Sequence, residues 1–127
     1  MARLELWGNL TAEPARVFAA LTEGERLVHW CCDQAESDPV PGGRLVMRWQ
    51  RQGGLGPPFE GHWLEIEPPA RCVYEGGSDD YPHRNAGRVT FRIASEGAFT
   101  KLFMVHEYPG EELAIIQRLA NAWPHSS

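Results

Sequence analysis

Alternation over residues 100–108 sets His106 on the same strand face as Leu102 and Met104. An inward imidazole titrating near neutral pH serves as a general acid, a general base or a polar contact for a ligand. Glu65, at the end of an apolar stretch, is the acid to set beside it, and proton transfer requires both within about 3 Å of a reacting atom. A satisfied core histidine is the plainer reading, and spacing assigns His106 no partner. With it, Met47, Trp49, Trp63, Tyr74, Phe91 and Met104 take apolar strand positions and are expected to line a pocket for a hydrophobic small molecule. Each of these side chains taken alone reads first as ordinary core, and only as a group do pocket and core stand level.

Other chemistries find less support. Cys31, Cys32 and Cys72 are odd in number and two are adjacent, so neither a disulfide framework nor a CxxC motif arises, and packing is the reading for all three. His62, His83 and His125 lie in separate segments without metal-ligand spacing, so no metal and no cofactor is expected. The glycines of 53–58 precede no Lys-Ser or Lys-Thr and open no helix, which makes that run a hairpin loop rather than a phosphate cradle. Ser37, Ser95 and the cysteines stand in no nucleophile-elbow context.

The elements that must position these residues follow from periodicity. Residues 4–10 alternate as a strand, at an edge or bulged because Gly8 interrupts it. Thr11 offers a capping hydroxyl, Glu13 an acid for the dipole and Pro14 a first helical residue; Val17, Phe18 and Leu21 then form one stripe. A second short helix spans 25–30, and 33–43 is loop with at most a short strand. Strand signals follow at 44–50, 59–66, 71–76, 88–94 and 100–108, spaced as an antiparallel meander. In 59–66 the alternation is ambiguous; Trp63 is taken as inward, with Phe59, Gly61 and Glu65 in its set. Residues 111–123 return to helical period, with Leu113, Ile116, Leu119, Ala120 and Trp123 on one face.

The chain has 127 residues, room for a single domain over 1–127, and a net charge of −5 with its basic residues scattered. Nucleic-acid and anionic-membrane binding are therefore disfavoured. No apolar run approaches the roughly 20 residues of a membrane helix, the N-terminus lacks a signal-peptide core, and a cytoplasmic location is expected.

These landmarks carry a resemblance. TAEPARVFAALTEGERLVHW looks like "xxPxxVFxALTxxExLxxW", PVPGGRLVMRW like a "GG" turn and strand, and FEGHWLEIEPPARCVYE like "FxGxxLEIxPPxRLVYT". GRVTFRI followed by TKLFMVHE is similar to "xxVTFxxxxxxxxTxLxxxH". In this order they resemble the branch of the START-like (SRPBCC) superfamily named for the activator of heat-shock protein 90 ATPase. The resemblance implies an α+β helix-grip fold: six or seven curved antiparallel strands around a C-terminal helix, two short helices after the first strand, and a cavity between sheet and helix, with Trp30 near its mouth as a further lining residue. In that family the last helix runs two or three turns past the position matching Trp123, so a shallow or open pocket is expected here unless a second subunit covers it.

Three functions compete. A binding domain for an apolar or aromatic small molecule leads because it asks least of the residues. A cyclase or hydrolase using His106 with Glu65 comes next, and a co-chaperone-like activator of the heat-shock protein 90 ATPase is third. Phe103 and Val105, expected to point outward where the family places Thr, Arg or Lys, mark a contact surface for a homodimer, with the C-terminal helix as the alternative surface.

Overall fold

The computed structural model of the chain describes residues 2–56, 58–77 and 87–108. The expected C-terminal helix at 111–123, the 78–86 loop, His83 and His125 lie outside the described residues. The chain opens with strand β1 (Ala2–Leu10), followed by helices α1 (Pro14–Thr22) and α2 (Gly24–Leu27). Strands β2 (Gln34–Ser37), β3 (Arg44–Arg48), β4 (Gln50–Arg51) and β5 (Gly54–Leu55) come next. The long strands β6 (Phe59–Glu67), β7 (Arg71–Gly77), β8 (Gly87–Glu96) and β9 (Phe99–Tyr108) complete the described chain.

Seven strands form one curved antiparallel sheet in the order β1-β9-β8-β7-β6-β3-β2, the α+β helix-grip arrangement. Strands β6 to β9 are a meander, each pairing antiparallel with the next. β1 pairs with β9 at one edge while β2 ends the other, so α1 and α2 carry the chain across the sheet between them. Glu13 occupies the N-cap in extended conformation and Pro14 is the first helical residue; the Thr11 hydroxyl does not cap. Val17, Phe18 and Leu21 turn the buried stripe of α1 toward the sheet.

Two departures from simple periodicity matter for the site. The expected strand 44–50 stops at Arg48. There the pairing of β3 with β2 ends, the Asp33 carboxylate accepts the Gln50 N–H, and Gln50 and Arg51 turn away to pair with Leu55 and Gly54. The second departure is a β-bulge: Trp63 pairs with Tyr74, but the next pair is Glu65 with Val73, leaving Leu64 as the extra residue. Leu64 is exposed, Glu65 moves to the outer face, and Ile66 returns to the inner one opposite Cys72.

The core lies on the inner face under α1 and α2. Register builds it in rows across the sheet: Leu4, His106, Val89, Tyr74 and Trp63 in one, and Leu6, Met104, Phe91, Cys72 and Ile66 in the next. Gly61 and Gly76 face each other across β6 and β7. A side chain at Gly76 would sit 2.6 Å from the Gly61 Cα and 2.8 Å from the Phe59 ring, so these glycines let the two strands and the ring close together.

Candidate functional site

The inner-face cluster is set from its backbone upward. At the Gly42-Gly43 turn, the Gly42 N–H donates to the Trp63 carbonyl at 2.7 Å and the Trp63 N–H donates to the Gly43 carbonyl at 2.8 Å. Gly43 has no room for a side chain, which would run into the Asp38 carbonyl. Trp63 is thereby fixed on the inner face with 0% exposure, the side it was expected to take although alternation left the choice open. Its indole N–H donates to the Ser37 hydroxyl at 2.9 Å, and that hydroxyl donates to the Thr22 carbonyl, so one relay ties β6, β2 and the end of α1.

Tyr74 is the hub of the aromatic packing. Its ring meets Trp63 at 5.5 Å and Phe59 at 5.7 Å edge to face, and Phe91 at 6.4 Å in a tilted contact. Burial first, then the neighbouring Cys31, Cys72 and Cys32 thiols, hold its hydroxyl protonated far above the usual tyrosine range. Phe59, 2% exposed, belongs to this cluster, and its shared parity with Trp63 was the signal that could have placed it there.

Trp30 and Trp49 both pack against the core, but their polar atoms serve the fold. The Trp30 indole N–H donates to the Ala20 carbonyl at 2.8 Å, and that of Trp49 to the Cys31 carbonyl at 2.9 Å. Met47, Phe91 and Met104 are buried on the inner face, and His106 is 2% exposed between Leu4 and Val89. Of the expected pocket residues, Trp63, Tyr74, Phe91, Met104 and His106 thus share two adjacent rows of one face.

Glu65 is not among them. The bulge at Leu64 puts it on the outer face, where Arg71 donates to its carboxylate at 3.2 and 3.4 Å. The pairing of His106 with Glu65 is therefore corrected: the two side chains stand on opposite faces of the sheet, and the enzyme reading loses its acid.

The cysteines are free thiols. Burial pushes Cys72 up to about 12. The neighbouring Cys32 thiol, with burial adding to it, raises Cys31, and the Cys31 thiol in turn lowers Cys32. Among the described residues no three His, Cys, Asp or Glu side chains gather as a metal site, and no helix is long and apolar enough to cross a membrane.

The outer face is different in kind. Trp7 on β1, 59% exposed, stands directly opposite Phe103 on β9, 39% exposed, and the Lys101 ammonium lies 5.3 and 5.7 Å from the two ring centres. Val105 is half-buried two residues further along. Beside them a groove of about 690 Å³ is lined by Phe103, Val105, Arg92 and Arg71 among others. Trp7 escaped the sequence reading because its place in β1 gave no hint that β9 would be its neighbour.

Comparison with known proteins agrees with this architecture. The family model described as "Activator of Hsp90 ATPase homolog 1-like protein" matches residues 11–126. A solved structure from Chromobacterium violaceum superposes with a TM-score of 0.79 at 23% identity, over 94% of this chain and 91% of that one. The Aha1 dimer from Colwellia psychrerythraea gives 0.74 at 16% identity, over 96% and 90%. An HSP90 activator from Plasmodium falciparum gives 0.72 at 23%, over 95% and 86%. Comparison with curated proteins gives no significant match.

Proposed function

Because the chain belongs to the Activator of Hsp90 ATPase homolog 1-like family, we propose that it is a non-catalytic binding domain that holds an apolar or aromatic small molecule on its inner sheet face. The observation that carries this reading is the placement of two polar groups on an otherwise apolar surface. His106 and Tyr74 lie in one cross-sheet row on either side of Val89, two strand spacings or about 10 Å apart at the backbone. A ligand with an apolar body and one polar end matches such a face, with Phe91 and Met104 in the next row beneath it. Trp63 and Phe59 then act as a fixed wall, since Tyr74 packs on both and the Trp63 N–H is already engaged.

A thermal-shift screen of apolar and aromatic compounds tests it. A true ligand stabilises the native state by about 2.7 kcal/mol at one hundred times its Kd, and a His106→Phe variant is expected to lose the shift while staying folded. A broad panel that leaves the melting temperature of the folded chain unmoved would overturn the reading.

A second reading concerns protein contact through the outer face, favoured by the exposed Trp7–Phe103 pair on the edge of the sheet. The Colwellia neighbour is described as a dimer and the Plasmodium neighbour as an HSP90 activator, so a second copy of this chain and a chaperone are the two partners to weigh. The homodimer is preferred, because an aromatic pair beside a nine-residue edge strand offers a self-complementary patch.

A further inference from the structure

Resting on the homodimer reading, we propose that two copies of the chain meet outer face to outer face about a two-fold axis running along the strands between β8 and β9. The aromatic rings of each copy then stack on the arginines of the other. The register sets the groups for this contact in one cross-sheet row. Trp7 on β1 stands opposite Phe103 on β9, Phe103 opposite Arg92 on β8, and Arg92 opposite Arg71 on β7. The row thus has an aromatic half and a cationic half, each two strands wide. Like charges directly across a strand pair repel. Arg71 holds Glu65 and Glu67, whereas Arg92 is exposed and makes no ion pair among the described residues. What the cationic half lacks is a group to cover it, and an aromatic ring is a face on which a guanidinium stacks.

A second copy supplies that group from its own aromatic half. Rotation about an axis between β8 and β9 exchanges β9 with β8 and β1 with β7. The partner's Phe103 comes over Arg92 and the partner's Trp7 over Arg71, while the strands of the two sheets stay aligned, as face-to-face packing requires. The same operation acts on the rest of the face. Two residues along lies the row Glu5, Val105, Thr90 and Val73, and beyond it the row Arg3, Glu107, Arg88 and Glu75. In the middle row the partner's Val105 meets Thr90, both half-buried. In the last row the partner's Glu107 comes over Arg88 and the partner's Arg3 over Glu75, so both contacts join opposite charges.

Neighbouring positions of the axis lose this match. Centred on β8, it sets Arg92 and Arg88 each on the same residue of the partner. Centred on β9, it sets Glu107 on the partner's Glu107 and Arg3 over the partner's Arg88. Between β7 and β8 it brings Arg71 over the partner's Arg92. Each of these juxtaposes like charges and works against association. Between β1 and β9 only two strands overlap, about 5 Å apart, too narrow a strip for the area a stable pair removes. Between β8 and β9 four strands overlap, about 14 Å across at the backbone, and the groove of about 690 Å³ beside Phe103 is covered with them.

The test is sedimentation of the full native chain and of two variants at exposed positions, each alone and then mixed. Phe103→Lys sets an ammonium over the partner's Arg92, and Arg92→Glu sets a carboxylate over the ring of the partner's Phe103. Each variant alone is expected to weaken self-association at least about 10-fold. In their equimolar mixture one contact joins ammonium to carboxylate and the other is the native one, so the two variants are expected to pair within about 3-fold of the native affinity. Should either variant lose its native circular dichroism, the same exchange in the charged row, Glu107→Arg with Arg88→Glu, decides. A native dimer that Arg92→Glu leaves intact, or a mixture that stays monomeric, would overturn this alignment and leave the homodimer standing. A native chain that is monomeric at every concentration would remove both.

Discussion

Cys72 shows how a single buried residue makes the whole fold sensitive to pH. Its side chain is fully enclosed between Ile66 and Phe91 on neighbouring strands, and burial raises the thiol from 9.0 to about 12. The native state thus keeps a proton that the unfolded chain releases above pH 9. Where the unfolded state binds fewer protons, stability falls as pH rises, here by about 1.4 kcal/mol per unit from pH 9 toward 12, with no dependence from this group below pH 9. Tyr74, also raised by burial, adds a fall of the same sign once pH exceeds the ordinary tyrosine value. Urea unfolding of the native chain and of Cys72→Ala across this window isolates the thiol. The difference between the two curves is expected to shrink by about that slope as pH increases, and parallel curves would show that Cys72 ionises equally in both states. Ser37 illustrates another kind of single-residue effect: it stands in no catalytic context, yet its hydroxyl joins Trp63 to Thr22.

At the scale of elements, the bulge in β6 decides which residues the site contains, and it makes a sharp prediction. In a regular strand Leu64 and Ile66 share a face; with Leu64 as the extra residue they do not. Leu64→Lys is therefore expected to change stability by less than about 0.5 kcal/mol, because the side chain is already exposed. Ile66→Lys brings an ammonium toward the inner face beside Cys72 and is expected to cost about 2 kcal/mol or more. Chemical denaturation of the two variants measures both, and equal losses would mean that the strand is regular. Strands β8 and β9 were legible from alternation because Val89, Phe91 and Ile93 contrast with Arg88, Thr90 and Arg92, and Leu102, Met104 and His106 fall in one phase. The order of elements was legible for the same reason, since turn clusters separate each run. Glu65 was misread because a one-residue bulge leaves the composition of the strand unchanged while reversing every later side chain. The break at Trp49 escaped for a different reason: it depends on Asp33, 17 residues before Gln50, reaching its N–H. The sulfur contact between Cys31 and Met47 is likewise tertiary, joining residues 16 apart in the chain, so no local motif foretells it.

For the molecule as a whole, the two faces of the sheet call for different partners. The inner face joins strands and helices into one apolar layer, whereas the outer face is held mostly by exposed ion pairs such as Arg88 with Glu75 and Arg44 with Glu60. Pairs of that kind contribute little to stability, about 0–1 kcal/mol each. Against this polar field the Trp7–Phe103 pair stands out, since two aromatic rings held in register by β1 and β9 keep much of their area in water. Lys101 above both rings shields part of that area, and a cation–π contact at an exposed site is worth only about 0.5–1 kcal/mol. Burying the rings against a second copy recovers more, because hydrophobic gain scales with area at about 25 cal/mol per Å². A stable pair removes about 800 Å² from each partner, more than the two rings alone supply, so the adjoining groove with Val105 and Arg92 must be covered too. Sedimentation across a wide concentration range should therefore show a monomer–dimer equilibrium, displaced toward monomer at least 10-fold by Phe103→Lys, which puts like charges in the contact. Trp7 emission should shift to shorter wavelength as dimer forms. A native chain that stays monomeric while Trp7 remains water-exposed would remove the homodimer, and stimulation of an Hsp90 ATPase by that monomer, lost in Phe103→Lys, would assign the same face to the chaperone.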